Sequence, residues 1–132
     1  MKKEDAILYR ILRPIINFLF RLLYRPTIIG DNNIPKEESV VICGNHTSMF
    51  DIPLLFCTTK RTIHCLAKDE LFKGLGKPFF KAMACIPVNR RKKDHEALEK
   101  AIKVLEDKKL IGIFPEGTFN RTNDIIMPFK FG

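Results

Sequence analysis

The oily N-terminal stretch, Ile7 to Tyr24, lacks any long run free of charge: Arg10, Arg13 and Arg21 interrupt it, and its longest uncharged run is Pro14–Phe20. A helix that crosses a bilayer needs roughly 20 consecutive apolar residues, so this stretch is not expected to span one. The same arginines, with no small-residue cleavage site after them, argue against a secretory signal peptide. Cysteines are few, and Cys43, Cys57, Cys65 and Cys85 form no Cys-x-x-Cys pair. They are expected to be reduced, small core residues; a zinc site drawing on His46 or His64 with two of them finds no ligand spacing to support it, and no metal is expected. Neither a Gly-x-Ser-x-Gly elbow nor a well-framed cysteine is present, which removes the usual sources of an enzyme nucleophile. Internal repeats and linkers are missing too, and 132 residues with 45% hydrophobic content suit one domain with a modest core.

What the chain has in excess is positive charge, with 23 Lys and Arg against 15 Asp and Glu for a formal +8. Such a surface attracts anions: nucleic acid, phosphorylated metabolites or acidic lipid headgroups. Base-stacking and recognition-helix signatures are missing and the basic residues are scattered, so nucleic acid is not the expected partner. At helical spacing Arg10, Arg13, Asn17, Arg21 and Tyr24 gather on one face of the N-terminal segment. Ile11, Leu12, Ile15, Ile16, Phe18, Leu19, Leu22 and Leu23 fill the rest. This pattern fits a helix lying in the headgroup region of a membrane with anionic lipids, oily residues buried and arginines at the phosphates. The alternative is a terminal helix docked on its own core, for which the apolar arc is wider than usual. Pro14 is expected to kink the helix or start a second one, and Pro26 to end it.

Beyond Pro26 the pattern alternates. Thr27–Gly30 reads as a short strand, Asp31–Pro35 as a turn, and Val40–Cys43 as a buried strand. Thr62–Leu66 reads as another strand, followed by a helix opening near Asp69 and loosened by Gly74, Gly76 and Pro78. Ile86–Val88 would deliver Asn89, Arg90 and Arg91 to a strand end. Asp94 would then cap a helix from about His95 to Asp107, with Leu98, Ala101, Ile102 and Leu105 as its buried stripe. Leu110–Phe114 is the last strand. Strands alternating with helices predict an α/β fold, a layered sheet with parallel pairings flanked by helices, whose ligands gather at the carboxyl ends of the strands.

Two of those strand ends carry chemistry. After Cys43 the chain reads Gly44-Asn45-His46-Thr47-Ser48-Met49-Phe50-Asp51, which places an imidazole and a carboxylate five apart in a strand-to-helix turn. Histidine accepts a proton near neutral pH, and a carboxylate on its far nitrogen fixes the tautomer and stabilises the imidazolium. An unbroken helix would point side chains five apart in different directions, so the segment must turn, with Asp51 at the helix start. With no nucleophile in the chain, the attacking group is expected on the substrate. After Phe114 comes Pro115-Glu116-Gly117-Thr118-Phe119-Asn120-Arg121, a turn suited to an anion beside a hydroxyl. Gly117 lets the backbone come close, Thr118 donates, and Arg121 can grip bidentately. Taken singly, either block is compatible with ordinary loops and surface residues.

In this order the blocks resemble the glycerolipid acyltransferases, and most closely the 1-acylglycerol-3-phosphate acyltransferases. Asn45-His46 through Asp51 matches the family's His-x-x-x-x-Asp block, Ile86-Pro87-Val88-Asn89-Arg90 resembles its second, and Phe114-Pro115-Glu116-Gly117-Thr118 matches its third. Phe119 stands where the family commonly has arginine, so that role passes to Arg121. The chain reaches Gly132 where the family usually continues, and residues 27–132 are expected to be an incomplete acyltransferase domain behind a membrane-associating segment, 1–26. The resemblance implies transfer of a fatty acyl group from acyl carrier protein or coenzyme A, as co-substrate rather than cofactor, to lysophosphatidic acid, giving phosphatidic acid in phospholipid biosynthesis. It implies His46 as general base and Asp51 as its partner, with Arg90, Glu116, Gly117, Thr118 and Arg121 at the acceptor and Arg91 and Lys68 standing behind them. It also implies a peripheral or monotopic place on the cytoplasmic face of the cell membrane. The alternatives are another acceptor, such as glycerol 3-phosphate or a different lysolipid, and a non-catalytic membrane-surface module.

Overall fold

A computed structural model describes residues 3–89, 91 and 93–129. Its centre is a sheet of four parallel strands, β1 (Val40–Cys43), β2 (Ile63–Lys68), β3 (Ile86–Val88) and β4 (Leu110–Ile113), in the order β1-β4-β2-β3. Val40 pairs with Leu110 on one side of β4, and Ile63 pairs with Leu110 on the other. The α/β reading therefore holds. Parallel strands are covered on both faces and read as near-continuous apolar runs, as in Ile63, Cys65 and Ala67 with His64 between them. Burial drives the Cys65 thiol well above its ordinary range and that of Cys85 up to about 12, so both are inert at neutral pH. β1 is not the buried strand expected: Val41 and Cys43 are exposed, on the face of this edge strand that the helix His95–Glu106, packed on β3 and β4, leaves uncovered.

One face of the sheet carries α1 (Lys3–Tyr24), α2 (Asp51–Leu55) and α3 (Lys77–Ala82); Tyr9, Phe56, Ile63, Cys65, Met83 and Leu110 form its core. Gly112 makes this packing possible. A Cβ there would stand 2.9 Å from Leu55 Cδ2 and 2.9 Å from Cys65 Sγ, so glycine lets α2 settle against β4. The other face carries α4 (His95–Glu106), capped by the Asp94 carboxylate, which accepts from Ala97 N at 3.1 Å. Ala97, Ala101, Val104 and Leu105 pack beneath it with Ile86 and Ile111. Leu98 and Ile102, expected in the buried stripe, are largely exposed. The stripe that faces the sheet runs through Ala97, Ala101, Val104 and Leu105, and Leu98 and Ile102 lie beside it.

Three other expectations are corrected. Thr27–Gly30 forms no strand, having no neighbour to pair with. The helix foreseen from Asp69 is two short 3-10 turns, Asp69–Phe72 and Gly74–Gly76, and α3 starts only at Lys77, with Pro78 in its first turn. Helix α1 runs on through Pro14. A proline removes one internal hydrogen bond, and docking of Tyr9, Leu12 and Ile16 on the core holds the helix together despite it.

The arginines of α1 are not all free to meet phosphates. Arg13 donates to Phe56 O at 3.1 Å and also to Thr59 O, and Arg21 donates to Cys57 O at 2.8 Å. These carbonyls end or follow α2, where helix geometry leaves acceptors unsatisfied and cations are favoured. Much of the apolar side of α1, including Ile7, Ile11, Phe18, Leu22 and Leu23, is left exposed. Among the described residues no helix is long and apolar enough to cross a membrane.

His64 is buried, donates from Nδ1 to Ala84 O at 3.0 Å, and leaves Nε2 buried without a partner. Burial, the largest cause, lowers its pKa below the ordinary 6.5, and Lys109 acts in the same direction. As pH falls through about 6.5 the unfolded chain takes up a proton that the folded chain resists, so stability is complete above that pH and declines below it. Urea midpoints measured from about pH 7 down to about pH 5 should fall, and His64→Asn, which keeps a donor for Ala84 O but cannot ionise, should flatten that decline. An unchanged slope in the variant contradicts this assignment.

Candidate active site

Strand order brings the two chemical blocks together. β1 and β4 are neighbours, so the loops leaving their carboxyl ends meet, and Gly44 N donates to Ile113 O at 3.2 Å just beyond the strands. The β1 loop turns at once into α2, whose first residue is Asp51. This tight turn folds the carboxylate back onto its own loop. Asp51 Oδ2 accepts from Thr47 N at 2.7 Å, Ser48 N at 2.8 Å and His46 Nδ1 at 2.9 Å. A carboxylate only accepts, so the proton of the neutral ring sits on Nδ1 and Nε2 carries the lone pair.

The β4 loop fixes the histidine from the other side. Glu116 is 0% exposed, and its Oε2 accepts from His46 N while its Oε1 accepts from Met127 N, both at 3.2 Å. Asn120 N donates to His46 O at 2.5 Å. The His46 ring stacks on Phe114, centroids 4.3 Å apart at 18°, and meets the edge of Phe119 at 4.5 Å. His46 is thus held at its backbone N, its backbone O, its ring face and its Nδ1. Gly117 sits at φ 66°, the left-handed region that favours glycine, and its N–H donates to Phe114 O at 2.9 Å. This closes the turn that carries Glu116 inward. Thr118 is half-buried on that turn, and Arg121 is exposed just past Asn120.

Lys68 and Arg91 stand apart from this cluster. Arg90 lies outside the described residues. β3 is three strand spacings from β1, about 14 Å, and the loop after it is held by Asp94, which accepts from Asn89 N at 2.8 Å. Lys68 and Arg91 both donate to Glu70, at 3.0 and 3.3 Å, in an exposed trio. The aromatic clamp of Phe114 and Phe119 and the ties from Asn120 and Met127 went unread in the sequence. Only the two phenylalanines flanking Pro-Glu-Gly-Thr signalled them. Among the described residues no cluster of three or more His, Cys, Asp or Glu side chains could hold a metal ion.

This geometry defines a class: an α/β protein with a carboxylate-oriented histidine at a strand end. The nearest hydroxyls of the loop are turned to other work, Thr47 Oγ1 donating to Asp51 at 3.4 Å and Ser48 Oγ accepting from Phe50 N at 3.2 Å. Comparison with known proteins then narrows the class. The sequence profile of the family described as Acyltransferase matches residues 25–132, and this chain belongs to that family. A 1-acyl-sn-glycerol-3-phosphate acyltransferase of Borreliella burgdorferi is 43% identical over 104 residues, covering 74% of this chain and 40% of the relative. One from Bacillus subtilis is 32% identical over 108 residues, covering 80% and 52%. The crystal structure of the 1-acyl-sn-glycerophosphate (LPA) acyltransferase, PlsC, from Thermotoga maritima superposes with a TM-score of 0.73 at 26% identity, covering 98% of this chain and 54% of that one. The chain spans about half the length of these relatives, or less.

Glu116→Gln should destabilise the fold by about 1–3 kcal/mol, because an amide puts a donor against one of the two backbone donors that the buried carboxylate serves. Urea unfolding measures the loss, and hydrogen exchange at the His46 amide should quicken. Unchanged exchange there would mean that Glu116 does not hold the histidine loop.

Proposed function

We propose that this chain carries the catalytic dyad of an enzyme that moves a fatty acyl group from an acyl carrier protein or coenzyme A thioester to the free hydroxyl of lysophosphatidic acid. The observation that supports it is the 2.9 Å bond from His46 Nδ1 to Asp51 on a strand-to-helix turn, in a chain whose relatives are named for acylating 1-acylglycerol phosphate. His46 Nε2 takes the proton of the acceptor hydroxyl as its oxygen attacks the thioester carbonyl. The carbon–oxygen bond forms, the carbon–sulfur bond breaks, and the imidazolium returns its proton to the departing thiolate, leaving ester and thiol. Asp51 holds the ring in the basic tautomer and balances the charge that appears on it. The substrate thereby brings the nucleophile and the thioester brings the activation, with no metal or redox group called upon.

In this reading Glu116 and Gly117 act through the backbone, shaping the loop that seats His46. We assign the acceptor's phosphate to Thr118 and Arg121 of the β4 loop together with Arg90, the basic and hydroxyl side chains of the matching sequence blocks. The acceptor is a lipid, and we assign its delivery to a membrane surface on the cytoplasmic face that α1 meets through its outward apolar residues. With Arg13 and Arg21 bonded to carbonyls beyond α2, Arg10 is the α1 arginine left for anionic headgroups.

In the full-length protein His46→Ala should lower acyl transfer about a thousandfold, the scale of a lost general base, while vesicle association persists. The assay is thiol release from acyl carrier protein or coenzyme A thioesters across a panel of acceptors, with lysophosphatidate supplied or withheld. Near-normal turnover contradicts the role of His46, and release driven equally by glycerol 3-phosphate contradicts the acceptor.

A further inference from the structure

Between β2 and α3 the chain reads Lys73-Gly74-Leu75-Gly76-Lys77. Leu75 is 100% exposed, at a tip that stands clear of the protein: a Cβ on Gly74, which sits at φ 65°, would have nothing within 4 Å. A single exposed leucine is ordinary, but this one has company. Leu71 and Phe79 on either side of the tip are exposed as well, and Lys73, Lys77 and Lys81 are exposed among them. The segment's carboxylates, Asp69 and Glu70, sit at its beginning, where Glu70 is held by Lys68 and Arg91. The outer end is therefore apolar and basic at once. α3 packs on α1, so this tip lies on the face of the sheet that carries the exposed apolar residues of α1.

We propose that the Lys73–Lys77 tip is a membrane wedge, with Leu75 entering the acyl boundary of an anionic bilayer and Lys73 and Lys77 meeting the headgroup phosphates. Charge complementarity selects this occupant. A pocket on a protein partner would accept the leucine alone, whereas a leucine bracketed by two lysines matches an apolar layer bounded by phosphates, with lysine stems lying along the boundary. The inference extends the membrane reading of α1 and adds a second, independent point of contact. It also bears on geometry. The 3-10 turn Asp69–Phe72 packs against β2 and β3, and Arg91, just past β3, reaches Glu70. The wedge thus leaves from the carboxyl edge of the sheet, the edge on which His46 and Glu116 stand, and would fasten that edge to the lipid surface.

The chain contains no tryptophan, so L75W in the full chain introduces a single indole at a position too exposed to disturb the fold, which far-UV circular dichroism verifies. With vesicles of phosphatidylglycerol and phosphatidylcholine, its emission should shift to the blue and be quenched by acyl-brominated lipid. An E106W control at the end of α4 should stay quenchable by aqueous iodide. Leu75→Ser should weaken partitioning about tenfold, from the apolar burial it forgoes. Replacing Lys73 and Lys77 by Gln should weaken it by a similar factor and remove the preference over pure phosphatidylcholine. If the protein binds vesicles while the indole at position 75 stays open to iodide, α1 alone makes the contact and the wedge is overturned. If the indole is shielded without lipid as protein concentration rises, a second copy is the occupant and the wedge is likewise overturned. Loss of acyl transfer by other variants leaves these readouts untouched.

Discussion

Three N–H groups converge on one oxygen of Asp51: the backbone amides of Thr47 and Ser48 and the Nδ1–H of His46. That convergence ties the form of the loop to the state of the base. Those two amides belong to the loop ahead of α2, and Asp51 sits in the helix's first turn, where the dipole favours a carboxylate. By accepting from them Asp51 shapes the loop, and the loop puts the same oxygen within reach of the imidazole. Structure and chemistry share one carboxylate, so the tautomer of His46 is settled by folding before a substrate arrives.

The rest of the molecule can be understood as support for that loop. Gly112 lets α2 sit close against the sheet through Leu55, and Arg13 and Arg21 of α1 occupy the carbonyls of Phe56, Cys57 and Thr59 at and beyond its far end. α2 is only five residues long, too short to be stable by itself, and it is tied at both ends. The β4 loop then closes over the histidine with Glu116, Asn120, Phe114 and Phe119. Parallel pairing of β1 with β4 makes this possible, since it sends two loops from distant parts of the chain out of the same edge.

The fold was legible where the signal was local and strong. The apolar runs of β1, β2, β3 and β4 and the Asp94-capped helix emerged within a residue or two of their places, because uninterrupted apolar stretches and a capping carboxylate are short-range signals. Thr27–Gly30 misled because strand propensity says nothing about whether a partner strand is available. The helix expected at Asp69 broke into 3-10 turns at its glycines. In α4 Ala101 and Leu105 face the sheet as expected, but Ala97 and Val104 join them in place of Leu98 and Ile102, because the surface beneath decides which edge of the stripe is covered. At the site, the spacing of His46 and Asp51 was readable because both belong to one turn. The buried ties from Glu116 and Met127 were not, because they depend on strand order, and an alternation of strands and helices does not state which strands adjoin. The arginines of α1 carry a similar lesson: periodicity placed Arg13 and Arg21 on one face but could not say that the face meets carbonyls instead of phosphates.

The measurement closest to the central claim is the protonation of the His46 ring in the chain labelled with 15N at its three histidines, with His46→Ala used to assign its signals. The neutral ring should carry its proton on Nδ1 and its lone pair on Nε2, with Asp51→Asn erasing that preference. A neutral ring protonated on Nε2, or a tautomer indifferent to Asp51→Asn, would show that the carboxylate does not set the base and would contradict the account.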